Sequence, residues 1–224
     1  MLGTLARLAA IGTAGAAYVI GVRPQMQRWG TTESEAAEGM PGDELVPAPR
    51  FASTRAISIA APPSTVWPWL VQMGEGRGGL YTYDALERLV GPGMESADAI
   101  VPELQDLAVG DDVRLAPIGG TDGLVMTVQR LEAPSLLVLR SRRSAEAGDY
   151  FAGAMTASWT LVLHDVDEGA TRLLSRWRMT WAPSAAADFF NGALVEPLHF
   201  ALEEKMLRGI RDRVERGHVR PVAG

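Results

Sequence analysis

The sequence contains no cysteine and only one lysine, Lys205, among its 224 residues. The absence of cysteine excludes disulfide bonds, thiolate nucleophiles, cysteine-ligated zinc and iron–sulfur clusters. Its 21 basic residues, almost all arginines, stand against 27 acidic residues and leave a net charge of −6. The arginines are spread along the chain, so the sequence lacks the basic patch that nucleic-acid binding requires. We therefore expect no nucleic-acid partner.

The overall composition indicates one folded domain. Apolar residues make up 47% of the chain and charged residues 21%, which is typical of a globular protein with an apolar core. We divide the chain into a hydrophobic N-terminal segment (1–24), a linker or strap (25–50), a ligand-binding domain (51–217) and a tail (218–224). The second part is acidic and rich in proline and glycine, as linkers and extended straps are.

The N-terminal segment has three interpretations. Its uncharged run, residues 8–22, has 15 residues, whereas a membrane-spanning helix needs about 20. A membrane anchor is favoured, with Arg7 reaching toward one interface. A helix packed on the domain and a signal peptide with an Ala14-Gly15-Ala16 cleavage site are the alternatives. We expect a membrane-associated protein with a cytoplasmic domain, and a soluble cytoplasmic protein is the alternative.

Hydrophobic periodicity predicts the order of elements in the domain. Residues 55–61 alternate as a half-buried strand, and Pro62-Pro63-Ser64 then begins a helix. A glycine-rich joint at residues 74–79 leads to a second short helix around residues 84–90. From Val113 the period changes to two, which predicts a run of antiparallel strands with one dry and one wet face.

The C-terminal stretch returns to helical spacing. An apolar residue recurs at every fourth position, at Phe190, Leu194, Leu198, Leu202, Met206 and Ile210. Pro197 lies inside this pattern, so we expect a kink or a new helix start there. The sequence therefore predicts an α+β helix-grip fold: a curved antiparallel sheet of six or seven strands packed on a long C-terminal helix, with two short helices after the first strand.

The motifs of this domain resemble those of the START-like (SRPBCC) superfamily. The resemblance rests on the opening Ile57-Ser58-Ile59-Ala60-Ala61-Pro62-Pro63-Ser64, on the strand run and on the closing helix. The segments at residues 67–74 and 78–84 are similar to a bacterial branch of it. The superfamily includes polyketide cyclases, pollen-allergen-like carriers and lipid-transfer domains, so the resemblance implies the fold and leaves binding and catalysis both open.

A curved sheet and a straight helix cannot touch everywhere, so we expect a cavity between them. Tryptophan and methionine side chains on the sheet suit an adaptable apolar cavity, although a solid core is an equal alternative. The expected pocket residues are Trp69, Met73, Tyr81, Tyr83, Met126, Trp159, Trp177, Met179, Phe190, Leu194 and Leu198.

Three polar residues are candidates for the mouth of that pocket: Arg77, Asp84 and His199. Arg77 lies in the glycine-rich joint, which follows a helix and so does not match a dinucleotide fingerprint. His199 shares a helical face with Glu196 and Glu203, a set that could bind a metal or move a proton. No second histidine is suitably spaced, however, so a solvated or partly buried helix face is favoured. We expect no metal and no other cofactor.

Two functions follow from these features. The favoured one is binding or carriage of a hydrophobic small molecule or lipid, because the sequence offers no convincing nucleophile or acid–base pair. The alternative is a cyclase- or dehydratase-like enzyme that acts on an aromatic or lipid-like substrate.

Overall fold

The structure is a computed structural model that describes residues 13, 17–82, 95–115, 124–142, 155–166 and 169–218. Within these ranges six antiparallel strands form one sheet in the order β1-β6-β5-β4-β3-β2. The strands are β1 Phe51–Ile59, β2 Asp112–Arg114, β3 Val125–Glu132, β4 Leu136–Ser141, β5 Thr156–Val166 and β6 Ala170–Thr180. The predicted α+β class and antiparallel sheet are confirmed.

Helices precede, interrupt and follow the strands. A π-helical turn, Tyr18–Val22, continues into α1 (Arg23–Gln27), and α2 is Glu33–Ala37. Helix α3, Pro63–Val71, follows β1. Proline fits the first position of α3 because its fixed φ suits a helix and its missing N–H would have no partner there. The predicted second short helix, around residues 84–90, lies outside the described residues.

The closing helix runs from Ala185 to His218 in three parts. They are α4 (Ala185–Phe190), a π-helical stretch (Asn191–Val195) and α5 (Glu196–His218). The Ser184 hydroxyl accepts a hydrogen bond from the Ala187 N–H and so caps the start of α4. The expected new start near Pro197 matches the change from π to α geometry at Glu196.

The inner face of the sheet is set by the strand register. Directly opposed residues of antiparallel strands place their side chains on the same face. Phe51 is opposite Met179, Ser53 opposite Trp177 and Arg55 opposite Ser175, while Trp177 is also opposite Trp159. These rows lie under the closing helix, where the core is.

The apolar stripe of the closing helix differs from the prediction. Phe190, Leu194 and Leu198 are exposed, and Leu202 is only partly buried. The helix turns about 100° per residue, so a strict four-residue repeat drifts around it by about 40° per step. The side that is buried instead carries Glu203, Met206, Leu207, Ile210 and Val214. The predicted burial of Phe190, Leu194 and Leu198 is therefore wrong.

The outer face of the sheet is partly covered, although the alternation predicted a wet surface. Residues 33–47, which we call the strap, lie across β6. Arg176 is buried and donates hydrogen bonds to the Glu38 carbonyl (2.7 Å) and to Asp43 (2.9 Å). Arg172 donates to Glu35 (2.8 Å). The wet-face prediction is wrong at Arg176, because the acidic strap supplies partners for these arginines.

The N-terminal segment is described only in part. Within the described residues, no helix has both the length and the apolar character that crossing a bilayer requires. Most of the predicted anchor, residues 1–12 and 14–16, lies outside those ranges. The anchor and the domain boundaries stay predictions.

Candidate functional site

Two stacked tryptophans form the centre of the inner face. The rings of Trp159 and Trp177, on neighbouring strands, lie 4.9 Å apart at an angle of 19°. The Trp159 indole N–H donates to Ser175 Oγ at 2.8 Å. This bond satisfies the polar end of Trp159 and fixes its ring, so the stack presents a rigid aromatic surface.

A buried ion pair lies next to the stack. Arg55 from β1 donates to Glu203 from α5, and their side chains are only 1% and 3% exposed. Ser175 also donates to Glu203, and Arg55 Nε donates to the Met26 carbonyl at 2.8 Å. Burying two charges is costly, and the additional hydrogen bonds offset part of that cost. The pair therefore links β1, the N-terminal segment and the closing helix.

The electrostatics of Glu203 reflect two opposing influences. Burial raises the pKa of the Glu203 carboxyl, and the Arg55 charge and the hydrogen bonds from Ser175 and Arg55 oppose that rise. A protonated Glu203 would leave Arg55 buried without a counter-charge.

The hydrogen bonds of His199 define its tautomer. The Nδ1 atom lies 3.0 Å from Arg55 Nη1. Arginine has only donors, so Nδ1 accepts and the neutral ring carries its hydrogen on Nε2. The pKa of His199 lies well below its usual value, mainly because of burial and also because of the Arg55 charge. His199 is therefore a neutral hydrogen-bond donor at physiological pH.

Aromatic rings hold His199 in place. Trp177 meets the imidazole edge to face at 5.0 Å, and Phe51 does so at 5.6 Å. The ring thus lies over the end of the sheet where β1 begins. Among the described residues, no group accepts a hydrogen bond from its Nε2–H, and its side chain is 19% exposed.

Ser53, on β1 close to His199, is the second polar group here that lacks a hydrogen-bond partner among the described residues. It is 2% exposed, and its hydroxyl has no hydrogen-bond partner within the described part of the chain. On β1 it lies between Phe51 and Arg55, the two residues of that strand that His199 contacts. A buried hydroxyl without a partner destabilises a protein by about 1–3 kcal/mol, so such groups call for an explanation.

The structure brings together part of the predicted pocket. Trp159, Trp177 and Met179 lie on one side of the buried pair, and all three are buried. Trp69, Met73 and Met126 are also buried in the core. Tyr81 is buried too, and its hydroxyl donates to the Trp69 carbonyl at 3.0 Å. Whether these side chains contact a ligand stays a prediction.

The polar candidates are dispersed. His199 lies beside the Arg55–Glu203 pair. Arg77 instead donates hydrogen bonds to the carbonyls of Val71 and Leu104, both at 3.0 Å, and so stabilises the loop that contains it. Tyr83 and Asp84 lie outside the described residues. The face with Glu196, His199 and Glu203 was expected to be solvated or partly buried; His199 is partly buried, and Glu196 and Glu203 are buried more deeply than expected. Arg23 binds Glu196 with two hydrogen bonds, of 2.6 and 2.8 Å.

The sequence carries one signal for the ion pair. Arg55 occupies an inward position of β1, in the same row as the apolar Phe51, Ile57 and Ile59. A buried arginine requires an acidic partner. Glu203 falls at helical spacing with Leu207, Ile210 and Val214, so the corrected helix phase identifies it as that partner.

Comparison with known proteins gives likenesses to solved structures only. No family model matches the chain, and no curated protein matches it. An aromatase/cyclase from Streptomyces sp. R1128 is 17% identical, with a TM-score of 0.47, and the match covers 78% of this chain and 98% of that one. Truncated norcoclaurine synthase from Thalictrum flavum is 15% identical, with a TM-score of 0.44, over 76% and 94% of the two chains.

An HSP90 activator from Plasmodium falciparum is 17% identical, with a TM-score of 0.37, over 66% of this chain and 91% of that one. These likenesses are distant and carry no argument about the ligand or activity of this chain. Its own strand order and closing helix match the architecture that the resemblance implied. The architecture is an α+β helix-grip fold.

Proposed function

We propose that the protein binds a hydrophobic small molecule or lipid that bears an oxygen acceptor. The observation that carries this proposal is a pair of polar groups without a partner among the described residues, the buried Ser53 Oγ and the partly exposed His199 Nε2–H, beside the apolar face of Trp177. A carbonyl, carboxylate or hydroxyl oxygen would accept hydrogen bonds from such donors, and the apolar part of the ligand would lie against the tryptophan stack. Ligand sites commonly combine apolar walls with a few polar groups in this way.

Binding is favoured over catalysis by the protonation state of His199. A general base must accept a proton, but Nε2 already carries one in this tautomer and Nδ1 is occupied by Arg55. A general acid at neutral pH needs a proton that it can donate, and the lowered pKa of His199 argues against an imidazolium. The cyclase- or dehydratase-like alternative would require a rearrangement of the Arg55 contact.

The predicted membrane association belongs to the same proposal. A lipid or another water-insoluble ligand is found at a bilayer, and the apolar run at residues 8–22 would keep the domain near it. Release of the protein from membranes by deletion of residues 1–16 would support this part. A full chain that does not sediment with membranes would contradict it.

Ser53→Ala tests the proposed polar contact. The substitution removes a hydroxyl without a partner, so we expect the free energy of unfolding to stay equal or to rise. Affinity for a dansyl-labelled fatty acid, measured by fluorescence titration, should fall by roughly 5-fold to 10-fold, because one hydrogen bond to the ligand is lost.

Ser58→Ala is the matched control. Ser58 is exposed on the same strand but on the outer face, where its hydroxyl accepts from Arg172 at 3.1 Å. It should leave probe affinity unchanged. Equal affinity of the Ser53→Ala variant and the wild type would contradict the proposed contact.

A further inference from the structure

Apolar side chains are exposed at the end of the molecule where β6 finishes. Ile20, on the N-terminal π-helical turn, is 77% exposed, and Phe189, on α4, is 76% exposed. We call the exposed set the apolar end surface: Val19, Ile20, Phe189, Phe190, Leu194 and Leu198. Single exposed apolar residues are ordinary, but a contiguous patch marks an interaction site.

A groove shows that the two elements form one surface. It has a volume of about 840 Å³, and both Val19 and Phe189 line it. The Tyr18 hydroxyl donates to the Gly192 carbonyl at 2.8 Å and ties the N-terminal turn to the π-helical stretch of the closing helix. Val19 and Phe189 of the apolar end surface therefore share one groove, where the N-terminal turn is joined to the closing helix.

The charged side chains that line this groove are paired with one another. Arg23 binds Glu196 at 2.6 Å, and Arg50 binds Asp188 at 2.7 Å. The Trp181 indole N–H also donates to Asp188, at 2.9 Å. No charged side chain among the described groove residues is unpaired, so bringing this surface to a headgroup boundary costs less than it would with lone charges.

We propose that the apolar end surface docks on a zwitterionic lipid bilayer. The uncharged run at residues 8–22 leads directly into this surface, so both would face the same medium. Helices with exposed Phe, Leu and Ile bury these side chains at the headgroup boundary, and Trp and Tyr at the rim suit that interface. The net charge of −6 points to a neutral rather than an anionic membrane. The proposal does not depend on the Ser53 site.

The lack of cysteine makes a direct test possible, since a single introduced cysteine can be labelled without side reactions. Leu194→Cys in the full chain would carry an environment-sensitive NBD fluorophore. With phosphatidylcholine vesicles, the label should increase in emission and shift to the blue, and doxyl-labelled lipids should quench it. Phe189→Cys provides a second position if the first variant unfolds in a thermal melt.

Val166→Cys is the control position. Val166 is exposed at the hairpin end of β5, about 33 Å along the strand from Thr156, which pairs with Thr180 at the end of β6. Its label should not respond to vesicles. Vesicle binding of the protein without a response at residues 189 and 194 would overturn the proposal, as would the absence of vesicle binding. A blue shift without vesicles, together with a dimeric mass in light scattering, would assign the surface to a second copy instead.

Discussion

Arg55 carries a full charge at a position where its strand would normally place an apolar side chain. It is held by Glu203, His199 and the Met26 carbonyl, which come from the closing helix and the N-terminal segment. A charge at this depth is tolerated only with its partners present. The cluster therefore fixes how the helix sits on the sheet and which tautomer His199 adopts.

Glu203→Ala should strongly destabilise the fold. It leaves Arg55 buried without a counter-charge, and breaking a buried pair in this way typically costs about 3–5 kcal/mol in the free energy of unfolding. Denaturant titration measures this change. Glu204→Ala is the control, because Glu204 pairs with Arg208 at the surface, and it should change stability by less than about 0.5 kcal/mol. Similar effects of both substitutions would place Glu203 at the surface.

His199 should make stability depend on pH in a defined direction. Its pKa is well below 6.5 in the folded protein, chiefly through burial. Below pH 6.5 the unfolded chain therefore binds a proton that the folded protein does not. Below pH 6.5 the free energy of unfolding should therefore decrease as the pH is lowered, by up to about 1.4 kcal/mol per pH unit. The charged groups that face the ring are Arg55 from β1 and Glu203 from its own helix.

His199→Gln isolates this contribution. Glutamine keeps an acceptor for Arg55 and does not titrate. Between about pH 7 and about pH 5.5, the wild type should lose stability relative to this variant. A stability difference that stays constant over this range would show that His199 titrates normally and is not buried as described.

Among the elements, the strap covers part of the outer face of the sheet. Glu35 binds Arg172 by two hydrogen bonds, of 2.8 and 2.9 Å, and this contact lowers the pKa of Glu35 to about 2. The pair therefore stabilises the fold above pH 4.5, and the contribution is lost as the pH falls from 4.5 toward 2. The strap, which precedes β1, therefore contributes to the stability of the sheet.

A chain beginning at Pro49 should be less stable than one beginning at Ala17. It lacks the Met26 carbonyl that accepts from Arg55, the Trp29 carbonyl that accepts from Ala56, and the strap over Arg176. Each lost hydrogen bond is worth about 1 kcal/mol, and more where a buried charge loses its partner. Thermal melts of the two chains measure the difference. Equal Tm values would mean that residues 17–48 contribute nothing to the domain.

The closing helix illustrates what periodicity can and cannot predict. The sequence predicted this helix. It also predicted a change of geometry near Pro197, and the structure shows that change at Glu196. Its buried side followed only in part: Met206 and Ile210 of the four-residue repeat are buried, whereas its first half is exposed and Glu203 is buried in addition. The exposed half of that repeat, including Leu194, became the apolar end surface.

At the scale of the whole molecule, the sequence predicted the fold better than the site. Alternation and turn residues are local signals, and they were enough for the antiparallel sheet and its closing helix. The site depends on pairs far apart in sequence: Arg55 and Glu203 are separated by 148 positions. The sequence alone therefore does not identify Glu203 as the partner of Arg55, because that requires knowing which side of the closing helix is buried.

The inner face around Trp177 is the proposed binding surface for a hydrophobic small molecule. The most direct test is titration of the full chain with a dansyl-labelled fatty acid, followed by quenching of tryptophan fluorescence. We expect saturable binding that is weaker in Trp177→Leu, while unfolding of that variant stays cooperative. In a solid core, loss of a tryptophan side chain typically costs about 3–5 kcal/mol, and no probe would bind. A wild-type chain that shows no saturable quenching, with a Trp177→Leu variant that is merely destabilised, would contradict the account.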